Sequence, residues 1–218
     1  MDKGFVIWLT GLPGSGKTTI ANAIKPLLEK EGLRVELLDG DVVRRQLSPE
    51  LGFTKQDREI HARRVVYLAK VFARNGVVAI VSLISPYREF RGYARKEIEN
   101  FVEVYVKAGL QTCIKRDPKG LYAKALAGEI KDLTGLQDPY EEPLNPELVV
   151  DTDEHDLTQS AAMIIDKLKT MGLYRERDSN EVVVQAIISR LVAFGYDLDE
   201  LQIKELEKVV STSSSVAK

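Results

Sequence analysis

The sequence predicts an α/β domain: a five-stranded parallel sheet with helices on both faces, followed by a helical C-terminal extension. Three observations carry that expectation. A glycine-rich turn at residues 11–18 sits between an apolar run and a helical stretch. Four further short apolar runs alternate with helical material, the pattern of a parallel sheet. After Gly172 the character of the chain changes. The 218 residues fit one such domain with a small appendage.

Phe5 to Leu9 (FVIWL) is almost wholly apolar, as in a strand covered on both faces. Lys17 to Lys30 is helical in pattern and stops at Gly32. Arg34 to Leu38 reads as the second strand and runs into Asp39-Gly40-Asp41. From Gln56 to Asn75, the residues Ala62, Val65, Val66, Ala69, Phe72 and Ala73 recur at helical spacing, and Gly76 closes that helix. Val77 to Ile84, Phe101 to Val106 and Leu148 to Val150 complete the strands. Residues 115–145 form a polar excursion with a helix predicted over KGLYAKALAGEIK; at a strand end this is a lid, or a plain solvated connection. Residues 175–180 (RERDSN) read as a charged hinge. Val183, Val184, Ile187, Ile188, Leu191 and Val192 then mark an apolar helix face, Gly195 breaks it, and Leu198 to Val210 predicts a second helix before a frayed Ser-rich tail. The expected domains are 1–174, with a lid at about 115–145, and 175–218.

Composition excludes several classes. The 31 Lys and Arg against 33 Asp and Glu leave a formal charge of -2, without the basic excess of a duplex-binding domain. No nucleic-acid partner is expected. No apolar stretch approaches the roughly 20 residues of a membrane span, and because the opening MDKGFVIWLTG runs straight into a motif no removable signal peptide is expected. The single cysteine, Cys113, makes no internal disulfide, so a soluble, cytoplasmic protein is expected.

Gly11-Leu12-Pro13-Gly14-Ser15-Gly16-Lys17-Thr18 fits the P-loop pattern, with Thr19 following in the helix. The glycines let backbone N–H groups approach phosphate oxygens, and the helix N-terminus favours the same anion. Lys17 is expected on the β- and γ-phosphates and the Thr18 hydroxyl on Mg²⁺. The motif implies ATP or another nucleoside triphosphate without saying where the phosphoryl goes. Other strand ends must decide that. Asp41 is placed to organise the metal or accept a proton from an acceptor hydroxyl, or else to cap the next helix. Arg44, a turn on, faces a substrate anion. The chain contains no N-K-x-D, which argues against a GTPase.

Behind the P-loop stand LLDGDVVRRQL, LGFTKQDREIHARR, VSLISPYREFRGYAR, FVEVYVKA and RDPKGLYAKALAGEIKDLTGLQDPYEEPLNPEL, in that order. In these motifs the chain resembles adenylyl-sulfate kinase from about Lys3 to Leu173. The resemblance implies the P-loop kinase fold and transfer of the ATP γ-phosphoryl to the 3′-hydroxyl of adenosine 5′-phosphosulfate (APS). It also implies Mg²⁺, a possible ATP sulfurylase as functional partner, and a place in sulfate assimilation. By resemblance Arg44 and Arg58 bind the phosphosulfate end, and Phe53 stacks on the substrate adenine or simply covers the core. Ile84 and Ser85 border the substrate, Lys119 and Arg116 belong to the lid, and Thr152 to His155 meet the ATP adenine. Arg63 or Arg64 either supports the site or lies on a solvated face.

The chain departs from the family pattern in three places. His61 replaces an amide donor that contacts substrate, or is an ordinary helix histidine. Leu133 stands where a second aromatic would sandwich the adenine against Phe53. Residues 175–218 have no counterpart and are expected to assist a homodimer or higher homo-oligomer. Ser85 is a possible phosphoserine intermediate, although direct in-line transfer is the expected route. The alternatives are another small-molecule P-loop kinase or a non-catalytic nucleotide-binding module.

Overall fold

In the computed structural model, which describes residues 4–174 and 179–216, the apolar runs assemble into one parallel sheet. Its strands are β1 (Val6–Thr10), β2 (Val35–Asp39), β3 (Val78–Ser82), β4 (Phe101–Lys107) and β5 (Leu148–Asp151), in the order β2-β3-β1-β4-β5. The chain leaves β1 toward β2 and β3, then crosses to β4 and β5 on the other side. The C-terminal end of β1 is therefore a switch point, where ligands of open parallel sheets bind.

Every residue of β1 is buried, which its FVIWL pattern requires. On one face, Val6 and Trp8 pack with Val65, Val66 and Ala69 of α3 (Lys55–Arg74) and Ala94 of α4 (Arg88–Glu97). Elsewhere on the sheet, α1 (Lys17–Lys30) buries Ile20, Ile24 and Leu28, and packs on α7 (Leu157–Thr170), which buries Ala161, Ile164 and Leu168. The starts of α2 (Gly40–Leu47), α3 and α7 are fixed by side chains: Asp39, the Thr54–Asp57 capping box and the Asp156–Gln159 capping box. In the lid, α5 (Leu110–Arg116) precedes a single short helix, α6 (Leu121–Leu126). The longer helix predicted through Lys131 stops early, because Gly128 takes a φ of +76 and turns the chain away.

Residues 174–218 separate from 1–173 as a second compact unit. Within it α8 (Ser179–Ala193) packs on α9 (Glu200–Val216), which runs through the serines read as a frayed tail. Of the expected apolar stripe, Val184 is buried, Ile187, Ile188 and Leu191 are half-buried and Val192 is exposed. The side chain of Val183 and most of the RERDSN hinge, residues 175–178, lie outside the described residues.

One buried charge network ties the sheet to the segment after the lid. Arg91 of α4 donates from Nε to Glu103 of β4 (2.8 Å), and from its two Nη atoms to the carbonyls of Ser85 and Glu141. Arg95 and the backbone of Glu103 are both held by Glu147. Removing one partner of such a pair strands a charge in low dielectric. Glu103→Ala is expected to lower unfolding free energy by about 3–5 kcal/mol, measured by urea denaturation; a loss below about 1 kcal/mol would place the pair among weak surface contacts.

Candidate active site

The P-loop leaves β1 at Thr10 and delivers the chain into α1 at Lys17. It lies hard against the sheet: a Cβ on Gly11, whose φ is +152, would stand 2.2 Å from the carbonyl of Val106. The Lys17 ammonium donates to the carbonyls of Gly11 (2.9 Å) and Leu12 (2.7 Å), with Ser15 Oγ at 3.4 Å. Burial, with the Lys119 charge adding to it, pushes the Lys17 pKa down to about 7. A cleft of about 620 Å³ opens over this loop. Gly14, Gly16, Lys17, Thr18, Thr19 and Pro13 line it. Leu12 instead turns its side chain into the lid core, and Ser15 is fully buried beneath the loop.

Two carboxylates, Asp39 and Asp41, stand at the end of β2 and make different contacts. Asp39 Oδ2 accepts from the Thr18 hydroxyl at 2.9 Å, and Ser82 Oγ lies 3.2 Å from Thr18 Oγ1. Asp39 and Ser82 are register partners at the ends of neighbouring strands, so both project beside the P-loop helix. Asp39 also caps α2 through the N–H groups of Asp41 and Val42; capping therefore belongs to Asp39 and not to Asp41. Asp41 lines the cleft and is held by Lys119 of the lid. Thr18, Asp39 and Ser82 together offer the hard oxygen donors that a phosphate-bound magnesium ion takes. The sequence shows Asp39 and Asp41 equally; only the strand end tells them apart.

On the β2–β3 side, Phe53 is 60% exposed at the cleft rim, with the Arg44 guanidinium 4.5 Å from its ring centre. Arg44 also donates to the Gly52 carbonyl. Arg58 lines the cleft and spans it from behind, donating to the carbonyl of Phe53 (2.7 Å), Thr134 Oγ1 (2.6 Å) and the carbonyl of Asp132 (2.6 Å). His61 is only 2% exposed, and its Nδ1 meets Ser48 Oγ at 2.9 Å. The arginine pair separates: Arg63 binds Glu59 along the outer face of α3, whereas Arg64 reaches Ser48 and Glu50. Leu133 does not face Phe53. It packs with Ala108, Cys113, Tyr122 and Ala125, because an apolar side chain at this point of the lid gains more from that core than from the open cleft. Apolar walls come from Leu83, Pro86 and Phe90, residues that the sequence did not single out.

Ile84 and Ser85 both border the cleft. Ser85 is 4% exposed and sits at a φ of +46, and its Oγ accepts from the Trp8 indole N–H at 3.0 Å. It does not cap α4, whose N-cap position is Tyr87. On the β4–β5 side, Arg116 donates to Thr152 Oγ1 (2.8 Å) and the Thr152 carbonyl (2.7 Å), and His155 Nδ1 lies 3.0 Å from the carbonyl of Asp151. Thr152, His155, Leu157 and Ser160 close this end of the cleft.

A P-loop at the switch point of a parallel sheet, with a lysine under the loop and two carboxylates across from it, defines a nucleotide-dependent phosphotransferase. The profile of the adenylylsulphate kinase family matches residues 3–151, and the chain belongs to that family. It is 62% identical over 152 residues to the "Probable adenylyl-sulfate kinase" of Archaeoglobus fulgidus, covering 70% of this chain and 98% of that protein. An APS kinase of Mycobacterium tuberculosis, solved in complex with AMPPNP and APS, is 40% identical with a TM-score of 0.75, covering 78% of this chain and 99% of that one. A hexameric APS kinase of Thiobacillus denitrificans is 36% identical with a TM-score of 0.62, covering 80% of this chain and 30% of that one.

The position of Lys17 makes nucleotide binding sensitive to protons. With its pKa lowered to about 7, Lys17 is charged below that pH and increasingly neutral above it. Triphosphate binding favours the ammonium, so the contribution of Lys17 to ATP affinity is constant below about pH 7 and falls as pH rises through it. Calorimetry at pH 8 in buffers of different ionisation enthalpy should show uptake of about one proton per ATP. Lys17→Met should abolish that uptake; its absence in the wild type would mean the lysine is already charged.

Proposed function

We propose that this chain transfers the γ-phosphoryl of ATP to the 3′-hydroxyl of APS, giving 3′-phosphoadenosine 5′-phosphosulfate and ADP. One observation carries the reading. On the β2–β3 side of the P-loop the cleft presents an exposed aromatic ring, Phe53, beside Arg44 and Arg58, the chemistry that an adenine nucleotide with an anionic tail requires. The APS-bound relative supports the same substrate.

ATP enters along the other side, its adenine toward Thr152, His155 and Leu157 and its phosphates over Gly14 to Thr18. Thr18 and Asp39, with Ser82 behind them, would hold the magnesium ion carried with ATP, which would supply neutralisation of phosphate charge. Lys17 meets the transferred group from beneath, where negative charge gathers. Asp41 orients the acceptor 3′-hydroxyl and takes its proton, after Lys119 exchanges this carboxylate for a phosphate oxygen. Lys119 and Arg116 then cover the reacting groups against water.

Transfer is direct. Ser85 Oγ accepts the indole hydrogen of Trp8 in a largely buried setting, which a phosphoserine dianion would have to give up at a desolvation cost. APS itself must come from a reaction that joins sulfate to the adenylyl group of ATP, so a sulfurylase partner belongs to the same proposal. So does a homo-oligomer, supported by the hexameric relative and by Val192, Phe194, Tyr196 and Leu201 exposed on the second unit.

The test is incubation with Mg-ATP and APS, followed by mass spectrometry and ³¹P NMR of the product. The expected result is a single new phosphate on the 3′-oxygen. Ser85→Ala should keep turnover within about tenfold, since the hydroxyl takes no covalent part. Isolation of a kinetically competent phosphoserine, or preference for a sugar or nucleoside acceptor, would overturn the reading.

A further inference from the structure

Among the described residues, two buried side-chain polar atoms lack a hydrogen-bond partner, His61 Nε2 and Ser160 Oγ. A serine on a helix can turn its hydroxyl to a carbonyl of the preceding turn; an imidazole nitrogen has no such freedom. His61 lies 2% exposed on the cleft wall beside Arg44 and Phe53. An unpaired polar atom buried at a binding site is costly unless a ligand completes it.

The other side of the ring says which hydrogen-bonding sense Nε2 has. His61 Nδ1 lies 2.9 Å from Ser48 Oγ, and Arg64 Nη1 donates to that same oxygen at 3.2 Å. The same Nη1 also meets the Leu47 carbonyl (2.5 Å) and Glu50 (2.6 Å), so its two hydrogens are shared among three acceptors, the Ser48 contact being the longest. Arg64 can only donate, so Ser48 Oγ accepts at that contact and keeps its own hydrogen to give, and among the described residues His61 Nδ1 is the acceptor it meets. The opposite arrangement, with Nδ1–H donating, would fill both acceptor positions of the hydroxyl and leave the buried serine hydrogen without an acceptor among the described residues.

We propose that Ser48 is a positioning residue: an Arg64–Ser48–His61 relay holds His61 in the tautomer with its proton on Nε2, presenting a fixed N–H donor to an anionic oxygen of the acceptor nucleotide. The target of that donor rests on the APS reading above; the relay itself does not. Burial, with Arg44 of α2 and Arg64 of α3 as the charges facing the ring, pushes the His61 pKa down to about 4. The ring is therefore neutral through the working pH range, and one fixed tautomer matters. A neutral donor adds direction to Arg44 and Arg58 without adding a third charge to a partly desolvated wall.

The chain has two histidines, which makes the tautomer directly readable. His155 Nδ1 faces the Asp151 carbonyl, which only accepts, so it carries its proton on Nδ1. ¹⁵N NMR of the full-length protein should show the two rings in opposite tautomers, His61 with a bare Nδ1. Ser48→Ala should mix the His61 tautomers and raise KM for APS about five- to tenfold, with kcat and KM for ATP within about twofold. In a His61→Asn background, whose amide needs no tautomer, Ser48→Ala should leave KM for APS unchanged. A bare Nε2 in the wild type, an unchanged KM in Ser48→Ala, or equal effects in both backgrounds would overturn the proposal. If the wild type forms no product from APS, the donor's target falls together with the functional reading; the wild-type NMR result, which needs no variant, still decides the relay.

Discussion

The phosphate loop is packed from behind, and the rest of the site follows from that. Gly11 has no room for a Cβ against Val106, Tyr122 of the lid donates to the Pro13 carbonyl at 3.0 Å, and the Thr152 hydroxyl reaches the Ser15 carbonyl at 3.1 Å. Leu12 closes the same contact from the loop side, beside Leu133 and Leu136. With its back fixed to β4, β5 and the lid base, the loop can present only its open face to the cleft. That is preorganisation in a physical sense: the donors already stand where charge develops.

This packing also separates what the lid holds from what it can move. Its base, around Cys113, Tyr122, Ala125 and Leu133, is part of the core beneath the P-loop. Its polar edge reaches across the cleft through two ion pairs, Lys119 with Asp41 and Arg58 with Asp138. Arg58 also holds the Phe53 carbonyl, so the aromatic rim and the lid share one guanidinium. From below, Arg91 fixes the carbonyls of Ser85 and Glu141, which keeps the end of β3 and the return from the lid in place. A ligand anion that draws on Arg58 or Lys119 would therefore act on lid contacts as well.

Much of this was legible in the residues. Alternating apolar runs located every strand to within a residue or two at each end, most plainly β1, β3 and β4, because a strand buried on both faces has no other composition available. The P-loop gave Lys17 and Thr18 their places, since backbone approach to phosphate demands glycine at those offsets. What the sequence could not resolve was which of two equivalent groups faces the ligand. Asp39 and Asp41 differ only by the point at which β2 ends and α2 begins. Arg63 and Arg64 differ by a rotation of about 100° on α3. Leu133 was placed in the cleft by its position in a motif, whereas apolar packing drew it into the lid. Ser48 carries no motif at all; its role depends on a contact with a histidine thirteen residues away.

The central chemical claim is that the metal side of the site is built from Thr18 and Asp39, while Asp41 belongs to the acceptor and the lid. Electron paramagnetic resonance of Mn²⁺ titrated into the ATP-bound protein tests it most directly. Asp39→Asn should weaken metal binding by about tenfold or more, and Asp41→Asn should leave it within about twofold while turnover falls. Loss of metal affinity in Asp41→Asn with Asp39→Asn unaffected would contradict the account.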